Sequence, residues 1–223
     1  QIQNIFLQCY FDTPEVYEVY NNLVNDEESN FFRYNFFLAN YLLHNDRNLE
    51  AQTILSSDRN LNYSNLLIRQ AENFLLAQKN EKIKNFFNCK NPSDTIAEIF
   101  YIIANLYSNE KDYQLSNFYL KISLYLNNKF TPNKTLLAEN YFYQKKYELS
   151  KKIYNSVKSI GTIYSWHASI NLARILSITQ DKEFSAIDLE NEFNLLSDPN
   201  FENYYELGNF FRDNEYYEKS IKY

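Results

Sequence analysis

Five times along this chain a small residue is followed 12 positions later by another: Ala39 and Ala51, Ala104 and Ser116, Ala138 and Ser150, Ala173 and Ser185, Gly208 and Ser220. From Ala104 onward the pairs themselves step by 34 or 35 residues. Between Thr95 and Val157 the register is fullest. Phe100, Ile103, Ala104, Tyr107, Ser116, Leu120 and Ser123 are followed 34 residues later by Lys134, Leu137, Ala138, Tyr141, Ser150, Tyr154 and Val157. A fixed period of this length marks a supersecondary unit repeated in tandem. The small residues have a steric reason, because two helices approach to about 8 Å only where the crossing lacks bulk. The pattern therefore predicts helical hairpins, each closed by one small side chain against another.

A weaker unit lies between the first and second pairs. Leu67, Ala71 and Phe74 fit it, but Ile83 stands at the second small position, which predicts a short second helix ending before Asn91-Pro92. Ser93 or Asp94 is placed to cap the helix that follows. Residues 1 to 11 read as a helix, and Asp12-Thr13-Pro14-Glu15 as the N-cap of a second one reaching about Asn25.

The 34-residue period with Ala/Gly facing Ser/Ala resembles the tetratricopeptide repeat (TPR). The likeness implies an all-α fold, a right-handed α-solenoid of stacked antiparallel helix pairs. Its repeats fall at about 30–60, 61–93, 94–129, 130–164, 165–198 and 199–223, the last cut short, after a weak hairpin over 1–29. More narrowly, Ala97 to Ala104, Phe118 to Leu126 and Tyr164 to Ala168 look similar to a family of alphaproteobacterial TPR proteins. Members commonly carry a secretion signal, which implies an extracytoplasmic (periplasmic) setting. The chain opens on Gln1, contains no methionine, and is read as a piece of a longer protein.

Composition narrows the function classes. No run of about 18 apolar residues occurs, and mean hydropathy is −0.54, so this segment is not expected to insert in a membrane. The net charge is −6 with both signs interspersed, apart from the acidic run Asp26-Glu27-Glu28, read as a solvated loop. That weighs against nucleic acid, whose binding relies on Lys/Arg clusters. Cys9 and Cys89 lie about two hairpins apart and read as small core residues rather than a bridge. With two glycines in the chain, Asn is expected to supply left-handed backbone at the turns, at Asn45, Asn109, Asn128 and Asn214.

Catalytic parts are scarce, and no enzyme, metal or cofactor is expected. The two histidines, His44 and His167, sit about three repeats apart, so no histidine metal cluster or Ser/His pair is readable. Two glycines cannot form a phosphate loop. Glu98 and Glu190-Asn191-Glu192 read as solvated helix surface. Trp166 reads as packing between hairpins, and Asn62-Tyr63-Ser64 and Asn133-Lys134-Thr135 as chance matches to the glycosylation pattern.

TPR arrays bind extended peptides or partner helices along the face formed by their first helices. The resemblance puts Glu98, Tyr101, Asn105 and Ser108 there in the best repeat. Equivalent positions hold Arg33, Phe36, Asn40 and Leu43, then Thr135, Glu139 and Phe142. Beyond them come His167, Ile170, Arg174 and Ser177, and finally Glu202, Tyr205, Asn209 and Arg212. Asn40, Asn105 and Asn209 share one register position, where a ladder of amides could hold a peptide backbone. Tyr101, Phe36 and Tyr205 stand where a chaperone-tail TPR needs Lys for its carboxylate clamp, so that ligand is not expected. The leading expectation is a scaffold for a protein or peptide partner. A permanently packed structural arm of a larger complex and an RNA-binding helical repeat are the alternatives.

Overall fold

The computed structural model describes residues 2–25, 32–56 and 65–223. The acidic run Asp26-Glu27-Glu28 and the triplet Asn62-Tyr63-Ser64 lie outside the described residues. Every described element is a helix, as the repeat predicts. In order they are α1 (Ile2–Phe11), α2 (Val16–Val24), α3 (Tyr34–His44), α4 (Asn48–Ser56), α5 (Leu66–Leu76), α6 (Asn80–Lys84) and α7 (Pro92–Asn109). Then follow α8 (Tyr113–Leu126), α9 (Thr131–Tyr143), α10 (Tyr147–Val157), α11 (Thr162–Thr179), α12 (Lys182–Asn194), α13 (Phe201–Asp213) and α14 (Tyr217–Lys222). The chain divides into two compact units, Gln1–Leu136 and Leu137–Tyr223, the division falling inside α9.

The small residues sit where the 12-residue interval puts them. Ala39, Ala51, Ala104, Ser116, Ala138, Ser150 and Ser185 are fully buried, Ala173 nearly so. At the last crossing a Cβ added to Gly208 would stand 3.5 Å from the Ser220 carbonyl, in ordinary contact, while Ser220 itself is half-buried. The weak unit has its predicted short second helix, the five-residue α6, with Ile83 buried at the small-residue position. Asn91, rather than Ser93 or Asp94, caps α7: its side chain accepts from the Ser93 N–H, and Pro92 takes the first helical position, where no N–H is needed.

The turns correct the expectation about asparagine. Asn45 and Asn214 have φ of −103° and −100°, Asn109 is still helical, and neither it nor Asn128 has a positive φ. Among the described residues, the left-handed ones are Asp12, Asp46, Gln78, Lys111, Lys145 and Glu215. Each lies just past the first helix of a hairpin and closes the same paired hydrogen bonds. The Asp46 N–H donates to the Leu43 carbonyl and the Arg47 N–H to Leu42, and the same pair recurs at Lys111/Asp112, Lys145/Lys146 and Glu215/Tyr216. This is the Schellman motif, which satisfies carbonyls the helix end leaves open. Asn works one residue earlier: Asn45 and Asn214 donate their side-chain amides to the carbonyls of Tyr41 and Phe210, each 2.8 Å away. Asp12 is thus the turn residue between α1 and α2, not an N-cap; Glu15 precedes α2 and makes no side-chain cap.

In the first unit, phenylalanines pack ring on ring. Phe37 meets Phe87 edge to face at 4.7 Å, Phe6 at 5.5 Å and Phe130 at 5.9 Å between centroids. These contacts bring α1 onto α3 and the segment after α6, and α1 also touches α7. Cys9 lies one turn along α1 from Phe6, and Cys89 two residues beyond Phe87. They are disulfide-bonded, with Cα atoms 5.8 Å apart, which overturns the expectation of two unbridged thiols. Both are buried, as expected; the distance in sequence misleads because α1 packs directly on distant elements.

In the second unit, Ala138, Tyr154, Val157, Ala168 and Ile175 form one core cluster, and Trp166, Ile170, Phe193, Leu207, Phe210 and Phe211 belong to another. Trp166 is a packing residue here, its indole N–H donating to Glu206 at 2.6 Å.

Candidate partner-binding face

The predicted face meets two different environments. In the first unit the interior takes Phe36, Asn40, Leu43 and Glu98, and the remaining positions are half-buried. α3 is apolar nearly all round, with nine buried residues among its eleven, and such a helix is surrounded by protein rather than exposing a stripe. Phe36 and Leu43 are fully buried, and Asn40 is buried with its amide donating to the Ile83 carbonyl at 2.9 Å. Asn40 therefore leaves the proposed asparagine ladder; Asn105 and Asn209 stay half-buried.

Glu98 is likewise fully buried, not solvated surface. Arg33 grips its carboxylate with both terminal nitrogens. The guanidinium is ringed by Tyr101, Phe37 and Phe130, with centroids 4.4, 5.2 and 5.4 Å away. Burial pushes the Glu98 carboxyl up, while Arg33 and the Tyr34 hydroxyl pull it back. Burial is the largest influence on Arg33 and lowers it, but the Glu98 charge, the hydrogen bonds to Glu98 and the neighbouring Tyr101 and Tyr34 together exceed it and leave the guanidinium raised, so the pair holds its charges. Tyr101 thus serves as one wall of this cage. Asn133 is also interior, its amide donating to Ser123 Oγ at 2.7 Å, so its triplet offers no glycosylation acceptor in the folded chain.

In the second unit the same register position is open. Glu139 on α9, Arg174 on α11 and Asn209 on α13 step by 35 residues; the first two are exposed and Asn209 is half-buried. Glu139 and Arg174 are neighbours in space as well as in register. Loss of surrounding water raises the Glu139 carboxyl above the ordinary glutamate range, against the opposing pull of the Arg174 guanidinium and of a hydrogen bond from Tyr143. One turn either side, Tyr205 is 60% exposed, and Arg212 is exposed and bonds its neighbour Asp213 at 3.1 Å. Glu202, His167 and Ser177 are half-buried, and Ile170 belongs to the core.

Two further residues belong to this face. Tyr143, 55% exposed, follows Glu139 by one turn and bonds to it; Phe201, 80% exposed, stacks on Tyr205 at 6.1 Å and 18°. The i, i+4 spacing from residues already on the stripe is the sequence signal that marks both.

The backing is rigid. Behind Glu139, Ser150 Oγ donates to the Ala138 carbonyl at 2.8 Å; behind Arg174, Ala173 and Ala186 share a cluster with Leu189. The face thus alternates charge and exposed aromatic rings on helices whose opposite sides are locked. Compared with known proteins, the chain matches no family model and no curated relative.

Proposed function

We propose that this protein is a scaffold of stacked helical hairpins, a TPR-like right-handed solenoid, that captures a protein or peptide partner on the first helices of its second unit. The observation that carries this reading is the open line Glu139, Tyr143, Arg174, Tyr205 and Arg212, set on helices fixed from behind by small-residue crossings. Exposed tyrosines supply contact area at low cost in side-chain entropy, and arginines supply directional donors; both are enriched among residues that dominate interfaces. Alternation of Glu and Arg along the line favours a partner of mixed charge and disfavours a polyanion such as RNA.

Two measurements test it. Solution scattering should give a radius of gyration clearly above the about 17 Å of a compact globule of this length; a value at that figure would refute the solenoid. Native partners retained by the wild-type chain, quantified by mass spectrometry, should be lost from an Arg174→Ala/Tyr205→Ala/Arg212→Ala variant that keeps its helical content. Equal retention by both would refute the face.

A further inference from the structure

A second candidate site lies wholly within the first unit, independent of the face above. A cleft of about 460 Å³ opens where the end of α3, the short α6, the 85–91 connection, the first turn of α7 and the loop before α9 converge. That volume falls in the range of small-molecule sites. Unlike most such sites, every side chain lining it is polar or charged.

The wall is built rather than accidental. Three carbonyls of the short α6 and the connection after it are each met by a side chain from elsewhere. Asn40 donates to Ile83 at 2.9 Å, Asn127 to Phe86 at 2.9 Å, and His44 Nε2 lies 3.4 Å from Phe87. The Cys9–Cys89 bridge pins the same segment from the other side. Asp94 holds its far end, accepting the Asn88 N–H at 2.9 Å and the Asn91 amide at 3.0 Å. Such fixing lowers the ordering cost that a bound ligand must overcome.

What remains unfilled is a set of donors. Both Asp94 oxygens are engaged, and burial pushes its carboxyl up. Asn88 uses its carbonyl oxygen on the Lys90 N–H, leaving its amide to donate. Lys84 sits 3.2 Å from Glu81 and 4.0 Å from Asp46, while Lys129, which feels Asp94 only at longer range, forms no ion pair among the described residues. We propose that this cleft binds a small oxyanion, a carboxylate or phosphate group anchored by Lys129 with Lys84 beside it, its remaining oxygens taking the amides of Asn85 and Asn88. Glu81 sets the limit on affinity, because it competes with the ligand for Lys84.

The test is amide NMR on the 223-residue chain titrated separately with inorganic phosphate and with citrate, against sodium chloride at matched ionic strength. At least one anion should produce saturable shifts confined to residues around 44, 84–94 and 129. Lys129→Gln, at an exposed position, should leave the melting temperature unchanged and weaken binding about tenfold, and Glu81→Gln should strengthen it several-fold. Absence of a saturable local shift with both anions, or affinity unchanged in Lys129→Gln, would overturn the site. The two titrations distinguish phosphate from carboxylate as the preferred group.

Discussion

Ser150 reaches across the crossing of α9 and α10 to donate its hydroxyl to the Ala138 carbonyl at 2.8 Å, and neither residue is exposed at all. The contact explains why the hairpins with a full second helix carry Ala, Gly or Ser at the crossing, while Ile83 stands there only in the unit whose second helix is five residues long: the hydroxyl fits because the partner is a backbone oxygen with no side chain over it. Ala138→Leu must overpack this crossing and should cost about 1–3 kcal/mol. Ala104→Leu should do the same in the first unit, while Ser150→Ala, which loses one hydrogen bond without adding volume, should cost about 1 kcal/mol. Chemical denaturation of the three variants checks the ranking, and a leucine variant as stable as wild type would contradict the crossing.

Among the described residues, six hairpin turns place a non-glycine residue in the left-handed region, at a steric cost on the order of 1 kcal/mol each. Lys111→Gly and Lys145→Gly should therefore raise stability by about 0.5–1 kcal/mol, the relief of strain exceeding the added chain entropy. Asn45→Gly and Asn214→Gly, one residue earlier, should lower it, because those side chains bond back to the helix. Thermal melts of the four variants would separate the two positions; stabilisation at Asn45 would sink the assignment.

These turns also show what sequence reasoning could and could not reach. Helix pairing, the short α6 and the interior alanines and serines are legible because sterics at a crossing leave few residue types to choose from. The turn assignment fails because it weighs only how readily Asn adopts left-handed backbone. The position is set instead by where the two turn hydrogen bonds close, and hairpin packing outweighs a cost of about 1 kcal/mol. The face at Phe36 and Asn40 fails for a related reason, and at Glu98 because Arg33, 65 residues earlier, pairs with it. A stripe argument assumes one exposed side, yet Tyr34 to Leu43 is apolar on all sides, a signal of full enclosure that the sequence carries. The Cys9–Cys89 bridge was not legible, since no local pattern says that α1 packs against elements eighty residues away.

That bridge closes a loop with a sequence separation of 80 residues. Removing it by Cys9→Ser/Cys89→Ser should cost about 2–5 kcal/mol, chiefly by freeing the unfolded chain. Both sulfurs are shielded, so reductant should act on the native protein only as fast as the N-terminal hairpin opens. Mass spectrometry after thiol alkylation, with and without denaturant, reads this directly. Rapid labelling of the native protein in mild reductant would show an exposed bridge instead.

Arg33 and Glu98 pair across distant segments, the carboxylate fully buried and the guanidinium largely so, and each is the other's compensation. Glu98→Gln strands the guanidinium among Phe37, Tyr101 and Phe130 and should cost about 3–5 kcal/mol. The double change Arg33→Met/Glu98→Leu removes both charges and should recover most of that loss. A double-mutant cycle by urea denaturation tests this, and additive losses would mean that the two side chains do not act as a pair.

The last hairpin carries an acid-sensitive latch. Glu190 on α12 accepts from Lys219 Nζ at 2.6 Å and from the Tyr223 hydroxyl at 2.7 Å, with Lys222 at 3.5 Å. The hydrogen bond from Lys219 is the largest cause holding its carboxyl below the ordinary glutamate value of 4.5, with Tyr223 and Lys222 adding to it. A carboxyl depressed in the folded state binds fewer protons folded than unfolded, so its stabilisation is complete above about pH 4.5 and is lost as pH falls through the lower folded value. Glu190→Gln should therefore weaken the α12–α14 contact at neutral pH while flattening the loss of stability below pH 4.5. Hydrogen exchange of the α14 amides across that range isolates the effect from the rest of the chain. If protection in the wild type fell no more steeply with acid than in the variant, Glu190 would not be the group that fastens this helix.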